Sequence, residues 1–118
     1  MGQKTFQTIG RPLPDRLNIV YSDIPLHPGV ETTTLPPAEL LAKLEQRGFT
    51  EVAICGGSTV YTLFLKAGLV DTIYLSLEPK LFGRGLNLFN QDLEIDLALV
   101  SNKQLNPNVV LLEYRVLK

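Results

Sequence analysis

Short apolar runs alternate with stripes of helical spacing in the first half of the chain. Met1–Ile9 has the character of a short helix, which the prolines that follow must end. Leu17–Ser22 is apolar and β-branched, which predicts a strand. In Pro36–Arg47 the leucines share one helical face, which predicts a helix capped by Thr34. The segment between the last two elements is rich in proline and predicts a loop.

The middle of the chain continues the alternation. Val52–Cys55 is a continuous apolar run, typical of a central strand covered on both faces, and this makes Cys55 a small buried core residue. Ser58–Ala67 predicts a second helix, and Thr72–Leu77 predicts the next strand. Alternating helices and strands are typical of right-handed βαβ units and of a mostly parallel sheet.

The tail has a different pattern. Leu93–Gln104 and Val109–Leu117 are two strand-like runs joined by Asn106–Asn108, which is a turn sequence. An antiparallel hairpin is therefore expected at the end of the chain. We predict an α/β fold: one domain over residues 1–118, with a mostly parallel sheet, flanking helices and this C-terminal antiparallel hairpin.

Composition and charge narrow the function classes. The chain has 118 residues, 45% of them hydrophobic and 19% charged, which predicts a packed core. The net charge of −1 argues against a nucleic-acid partner, which needs a basic face. One cysteine, Cys55, and one histidine, His27, exclude an internal disulfide framework and a multi-histidine metal site. No apolar run has the length of a membrane span, so we expect a cytoplasmic protein without a membrane partner.

A glycine turn is the first candidate binding site. The predicted strand ending at Cys55 runs into Gly56 and Gly57, and the helix beginning at Ser58 follows at once. Backbone without Cβ atoms allows a ligand to approach closely, and a helix N-terminus offers N–H groups to a phosphate. The alternative is a tight strand-to-helix turn without a ligand.

Two further groups of residues could contact an anionic ligand, the first made of two segments. Gly2–Thr5 and Gly10–Arg16 combine glycines, a hydroxyl and cations near a helix end, although each cation alone could be a solvated surface residue. Leu81–Phe89 places Arg84 between two glycines, and it could equally be an ordinary connection. No Ser/His/Asp or Cys/His set and no suggestive carboxylate pair for acid–base catalysis can be assembled from the sequence.

These segments, in this order, resemble the dihydrofolate reductase superfamily. The block GQKTF followed by GRPLPDRLNIV (residues 2–6 and 10–20) closely resembles the dihydrofolate reductase pattern, and GGSTVY (residues 56–61) resembles the family's nucleotide-binding glycine turn. Gly68–Asp71, Pro79 and the Phe82–Phe89 loop look more like the reductase domain of the bifunctional riboflavin-biosynthesis deaminase/reductase, RibD.

The resemblance implies NADPH as hydride donor and a small-molecule substrate, either dihydrofolate or a ribosylaminopyrimidine precursor of riboflavin. It implies a cis peptide between Gly56 and Gly57 beside the pyrophosphate, Ser22 near the 2′-phosphate, and Arg16 or Arg84 at the substrate. The implied cofactor-binding residues are Gly2, Gln3, Lys4, Thr5, Ser22, Cys55, Gly56, Gly57, Ser58, Thr59, Val60 and Tyr61.

The sequence also departs from the family pattern. Gln3 replaces an arginine that helps to hold the 2′-phosphate, and Asp23 adds a negative charge nearby, which weakens the preference for NADPH over NADH. Met1 aligns with a residue inside the family fold, so the first central strand and the helix with the substrate-binding acid are expected to be missing. Because that acid is the family's catalytic group, no catalytic residue is assigned in this chain. The leading hypothesis is an NADPH-dependent reductase; the alternative is a non-catalytic nucleotide-binding or scaffolding module. An uncovered sheet edge makes a homodimer plausible.

Overall fold

The computed structural model describes all 118 residues and has an α/β fold with three helices and five strands. The three predicted helices and the strands at 17–22, 72–77 and 109–117 are confirmed, with shifts of a few residues at their ends. In chain order the elements are α1 (Gln3–Ile9), β1 (Ile19–Tyr21), β2 (Glu31–Thr33), α2 (Pro37–Gln46), α3 (Ser58–Lys66), β3 (Thr72–Leu77), β4 (Leu97–Asn106) and β5 (Val109–Val116).

The strands form two separate sheets. β1 and β2 pair in parallel, with Ile19 opposite Glu31 and Tyr21 opposite Thr33. β3, β5 and β4 form an antiparallel sheet in that order, in which β5 is the central strand. The one mostly parallel sheet expected from the βαβ alternation is therefore present as a short parallel pair and a larger antiparallel sheet. β2 lies in the segment that we expected to be a loop throughout.

The expected central strand at Val52–Cys55 is not formed in this structure. Residues 50–55 make no backbone–backbone hydrogen bond and belong to neither sheet. A strand needs a neighbour that pairs with its backbone, and none of the five strands pairs with this run. The prediction of a buried Cys55 is wrong for the same reason, since its side chain is exposed.

The core lies where α2 and α3 pack against β1. Leu40 and Leu44 of α2 contact Val60 and Phe64 of α3, and all four are buried. Val20 in the middle of β1 has no exposed surface. The apolar stripes seen in the sequence thus face each other across these two helices, and this packing fixes the N-terminal end of α3 beside β1.

The C-terminal hairpin is confirmed. β4 and β5 are joined by a two-residue turn at Pro107 and Asn108, and the Asn108 N–H donates to Asn106 Oδ1 at 2.9 Å. β4 begins at Leu97, four residues after the predicted start, and contains two register shifts. None of the helices has the length and hydropathy required to span a membrane.

The predicted cap of α2 is wrong. Pro36 occupies the N-cap position, with no side-chain hydrogen bond, and Pro37 begins the helix. Thr34 lies two residues before the cap position, so its hydroxyl is too far along the chain to replace that bond. The fixed φ of proline favours this start, because it suits the first helical turn and its missing N–H is not needed there.

Candidate binding site at the starts of α1 and α3

The start of α1 lies directly against the turn that precedes α3. The Gly2 N–H donates to the Gly56 carbonyl at 2.8 Å, and the Tyr21 N–H donates to the Met1 carbonyl at 2.8 Å. A Cβ on Gly2 would lie 3.5 Å from Cγ2 of Val60. The first helix, the end of β1 and the glycine turn therefore meet at one corner, which we call the glycine corner (residues 2–5, 21–22 and 55–61).

The turn itself requires glycine. The Gly56–Gly57 peptide bond is cis, as the resemblance implied, and Gly56 has a φ of +113° that side chains rarely adopt. Gly57 is extended, and a Cβ there would lie 3.3 Å from Thr5 Oγ1. A larger residue at either position would change the backbone path or displace Thr5, so glycine is required at both; Gly56 is buried and Gly57 is partly exposed.

The corner also presents hydrogen-bond donors. Gly57 is the N-cap of α3 and supplies no side-chain bond, and the N–H groups of Ser58, Thr59 and Val60 have no partner within the chain. Gly2 is likewise an N-cap without a side-chain bond at the adjoining start of α1. Free N–H groups and the positive end of a helix dipole favour an anionic oxygen.

Side chains around the turn add hydroxyl groups. The Tyr61 hydroxyl lies 3.6 Å from the position of a Cβ on Gly56, and partial burial raises the pKa of this phenol. It therefore stays protonated at neutral pH and can donate. The Thr59 hydroxyl accepts a hydrogen bond from Asn90 Nδ2 at 3.0 Å, whereas the exposed Cys55 thiol has only a long contact, 3.8 Å, to the Ala53 carbonyl.

The two residues expected near a 2′-phosphate lie at neighbouring positions. Gly2 forms a parallel bridge with Tyr21. Gln3 and Ser22 are the next residues along these two segments, so they lie near each other. The Ser22 hydroxyl already donates to the Ile24 carbonyl at 2.9 Å and accepts from the Ile24 N–H at 3.1 Å. Its proton is thus engaged in a local turn, while the exposed Lys4 makes no ion pair.

Comparison with known proteins decides the family. The family model for dihydrofolate reductase matches residues 1–80, more than half of the chain. The chain belongs to the dihydrofolate reductase family. The glycine corner lies entirely within the matched residues.

Individual relatives agree with this assignment. A dihydrofolate reductase of Haemophilus influenzae is 34% identical over 102 residues, which is 81% of this chain and 61% of that protein. A protein assigned to riboflavin biosynthesis in Shewanella sp. PV-4 matches the whole chain with a TM-score of 0.87 at 21% identity, over 72% of its own length. A diaminohydroxyphosphoribosylaminopyrimidine deaminase/5-amino-6-(5-phosphoribosylamino)uracil reductase from Thermotoga maritima matches 88% of the chain, and 32% of its own, with a TM-score of 0.68 at 23% identity.

The two structural matches show the fold shared with proteins of this family. The chain spans 41% and 61% of the length of the two curated relatives that it matches. Their full activities accordingly rest on more residues than the 118 described here.

Neither of the two arginines suggested for substrate binding makes a polar contact with residues of the glycine corner. Arg16 is exposed and its Nε donates to the nearby Pro14 carbonyl at 3.0 Å. Arg84 is exposed in the irregular segment between β3 and β4 and makes no hydrogen bond or ion pair within the chain. Neither guanidinium group is in an ion pair, so both remain available to an anion.

The sequence analysis missed two buried polar residues, Asn18 and Thr62, that form hydrogen bonds with the backbone of neighbouring loops. Asn18 is buried, accepts from the Leu13 N–H at 2.8 Å, and donates to the carbonyls of Leu13 and Arg16 at 2.8 and 3.0 Å. Thr62 is 1% exposed and its hydroxyl accepts from the Asn90 N–H at 3.1 Å. A polar residue within each apolar run was the available signal, since buried polar groups need partners.

Proposed function

We propose that the protein binds NADPH at the glycine corner and acts as a reductase of a pteridine, such as dihydrofolate, or of a ribosylaminopyrimidine precursor of riboflavin. One observation carries the proposal: Gly2, Gly56 and Gly57 bring the uncapped starts of α1 and α3 together within a chain of the dihydrofolate reductase family. The substrate class comes from the reductases among its relatives.

The residues at the corner fit a dinucleotide pyrophosphate. The unpartnered N–H groups at the start of α3 can donate to phosphate oxygens, and bare glycine backbone allows these oxygens to approach. A Cβ on Gly57 would meet Thr5 and narrow this space. The proposed cofactor-binding residues are Gly2, Gln3, Lys4, Thr5, Ser22, Cys55, Gly56, Gly57, Ser58, Thr59, Val60 and Tyr61.

In the proposed reaction the cofactor provides the redox chemistry, since the nicotinamide supplies a hydride when it is bound. The chain would orient the nicotinamide: the α3 N–H groups would hold the phosphates, and the partly exposed Gly57, which has no side chain, would leave room beside them. Tyr61, protonated at neutral pH, can donate a hydrogen bond at the same place. Arg16 and Arg84 are the proposed substrate-binding residues, because a free guanidinium pairs well with a carboxylate or a phosphate.

The cofactor choice depends on Gln3, Lys4 and Ser22. A 2′-phosphate beside β1 would find the Lys4 ammonium as a cation, while Gln3 offers an amide and the Ser22 hydroxyl is engaged with Ile24. We therefore expect only a modest preference for NADPH over NADH. We also propose that residues 1–118 are one domain, in which the apolar run at 52–55 has the position of an inner strand of a mostly parallel sheet.

The proposal is tested by titrating the protein with NADPH, following nicotinamide fluorescence, and then assaying NADPH oxidation with dihydrofolate and with the aminopyrimidine substrate. Gly57→Val should weaken NADPH binding at least roughly tenfold, because its methyl groups crowd Thr5 and the phosphate position. Gly85→Val is the matched control, since nothing lies within 4 Å of a Cβ there.

The outcomes separate the alternatives. Tight binding with turnover supports the reductase, and binding without turnover favours a non-catalytic nucleotide-binding module. Equal NADPH affinity in a folded Gly57→Val variant would remove the site assignment.

A further inference from the structure

A polar stripe runs along one face of α3, apart from the apolar stripe that packs into the core. Thr59, Thr62 and Lys66 follow one another at spacings of three and four residues, which places them on one side of the helix. Val60 and Phe64 are buried in the contact with α2. Thr62 is only 1% exposed although it is polar, so another segment of the chain must cover the stripe and bond to it.

The covering segment is formed by Asn90 and Gln91, in the connection between β3 and β4. The backbone N–H of Asn90 donates to Thr62 Oγ1 at 3.1 Å, and its side-chain amide donates to Thr59 Oγ1 at 3.0 Å. The Lys66 ammonium donates to the side-chain carbonyl of Gln91. Two consecutive residues thus bond to the whole stripe, from the second residue of α3 to its last.

The direction of the bond at Thr59 matters because this residue lies at the start of α3. Its hydroxyl oxygen accepts from Asn90 Nδ2, and no hydrogen bond donated by this hydroxyl forms within the chain. A hydroxyl has one proton and two lone pairs, so the bond from Asn90 leaves the proton free to donate. The Thr59 N–H has no partner either. One residue therefore offers two donors where the phosphates are proposed to bind.

The neighbouring Thr62 shows a competing use of a threonine proton. Its hydroxyl also accepts from Asn90, but it donates to the Ser58 carbonyl at 2.7 Å, so its proton is used within the helix. Thr59 has no helical carbonyl four residues before it, because α3 begins at Ser58. Of the two threonines that bind Asn90, only the one at the helix start keeps a free donor.

We propose that Asn90 is a positioning residue for the cofactor phosphates: its side-chain amide occupies a lone pair of the Thr59 hydroxyl, and the hydroxyl proton is left for a phosphate oxygen. The inference rests on the proposed function, which takes the start of α3 as the phosphate site. Asn90 acts through Thr59. It lies 31 residues further along the chain, outside the glycine corner.

The structure allows this bond to be changed while the segment stays in place. The Asn90 N–H still reaches Thr62, and Gln91 still reaches Lys66, when the side-chain amide of Asn90 is removed. Asn90→Ala therefore deletes one bond of three. Asn90→Asp reverses that bond instead, because a carboxylate only accepts, and the Thr59 proton would then be directed to it and away from a phosphate.

The test measures the dissociation constants of NADPH, by nicotinamide fluorescence, and of inorganic pyrophosphate, by titration calorimetry. Thr59→Val should weaken both roughly tenfold, because a hydrogen bond to a charged oxygen is lost. Asn90→Asp should weaken both at least as much, and Asn90→Ala roughly threefold, because the hydroxyl loses its orientation. Circular dichroism checks that each variant is folded.

Two controls separate positioning from charge and from packing. Asn87→Asp adds the same charge to the same connection at an exposed residue without a side-chain hydrogen bond, and should change neither affinity more than about twofold. In a Thr59→Val background, Asn90→Ala should cause no further loss, since the hydroxyl through which it acts is gone. A purely structural role would give the same loss in both backgrounds.

The outcomes also separate this inference from the proposed function. An equal loss for Asn90→Ala with and without the Thr59 hydroxyl, or unchanged affinities in folded Asn90→Asp, would overturn the role of Asn90 while NADPH binding by the unmodified protein stands. Pyrophosphate binding that depends on Asn90, without NADPH binding, would support the role of Asn90 and contradict the proposed cofactor. A protein that binds neither probe would overturn both.

Discussion

Strand β1 beside the glycine corner and the run at residues 52–55 have similarly apolar sequences but different environments. At the corner, the backbone of Gly2 and Tyr21 is hydrogen-bonded, and Val20, the residue before Tyr21 in β1, has no exposed surface. The equally apolar run at 52–55, in contrast, makes no backbone–backbone hydrogen bond, and Val52 is 40% exposed. An apolar, β-branched run is therefore not enough to make a buried strand, because a strand also needs neighbours on its edges and cover on its faces.

The comparison predicts that stability is concentrated around the helix core next to the corner. Phe64→Ala removes a 2% exposed ring from the contact between α2 and α3 and should lower the free energy of unfolding by about 3–5 kcal/mol. Leu99→Ala on β4, where the side chain is 54% exposed, should lower it by less than about 1 kcal/mol. Urea unfolding followed by circular dichroism measures both, and equal losses would show that the antiparallel sheet carries as much stability as the helix core.

A second variant tests the polar support of the corner. Asn18→Ala would leave the Leu13 N–H without its partner and release two carbonyls, so unfolding should become easier by about 1–3 kcal/mol. Asn102→Ala, at an exposed position on β4, should change the free energy of unfolding by less than about 0.5 kcal/mol. A loss for Asn18→Ala no larger than for Asn102→Ala would mean that the 13–16 loop does not depend on these bonds.

What the sequence could predict follows from the range of the interactions involved. The helices at 37–46 and 58–66 were predictable because their leucine and aromatic stripes are local patterns, and the hairpin because its turn residues are adjacent. The glycine turn was recognisable as a motif, although no local sequence pattern shows that Gly2 lies beside Gly56. That contact joins residues far apart in sequence.

The failures have the same origin. The run at 52–55 predicts a strand, but strand pairing depends on segments that are distant in the sequence. Here no strand forms backbone hydrogen bonds with the run, and Cys55 is exposed. β2, with only three residues, is too short to give an alternating pattern. The support from Asn18 was missed because a lone asparagine before a strand does not reveal which loop it holds.

The smallest expected effect concerns the ion pair between Glu31 of β2 and Arg47 at the end of α2. Arg47 binds Glu31 through two contacts, 2.8 Å and 2.9 Å, and this hydrogen bonding lowers the pKa of the Glu31 carboxyl. A lowered folded-state pKa means that the stabilisation is present above the ordinary glutamate pKa and is lost as the pH falls through the folded value. Both side chains are about half exposed, so solvent and salt screen the pair and its contribution is small.

Glu31→Gln should therefore reduce the midpoint of urea unfolding slightly at neutral pH and not at a pH below the folded pKa of Glu31. Glu39→Gln is the matched control, because Glu39 is exposed on α2 and makes no salt bridge. The difference between the two variants at neutral pH should shrink in high salt, since an exposed pair is screened. A difference that persists at acidic pH would assign the effect of Glu31 to its side-chain packing beside β1 and not to its charge.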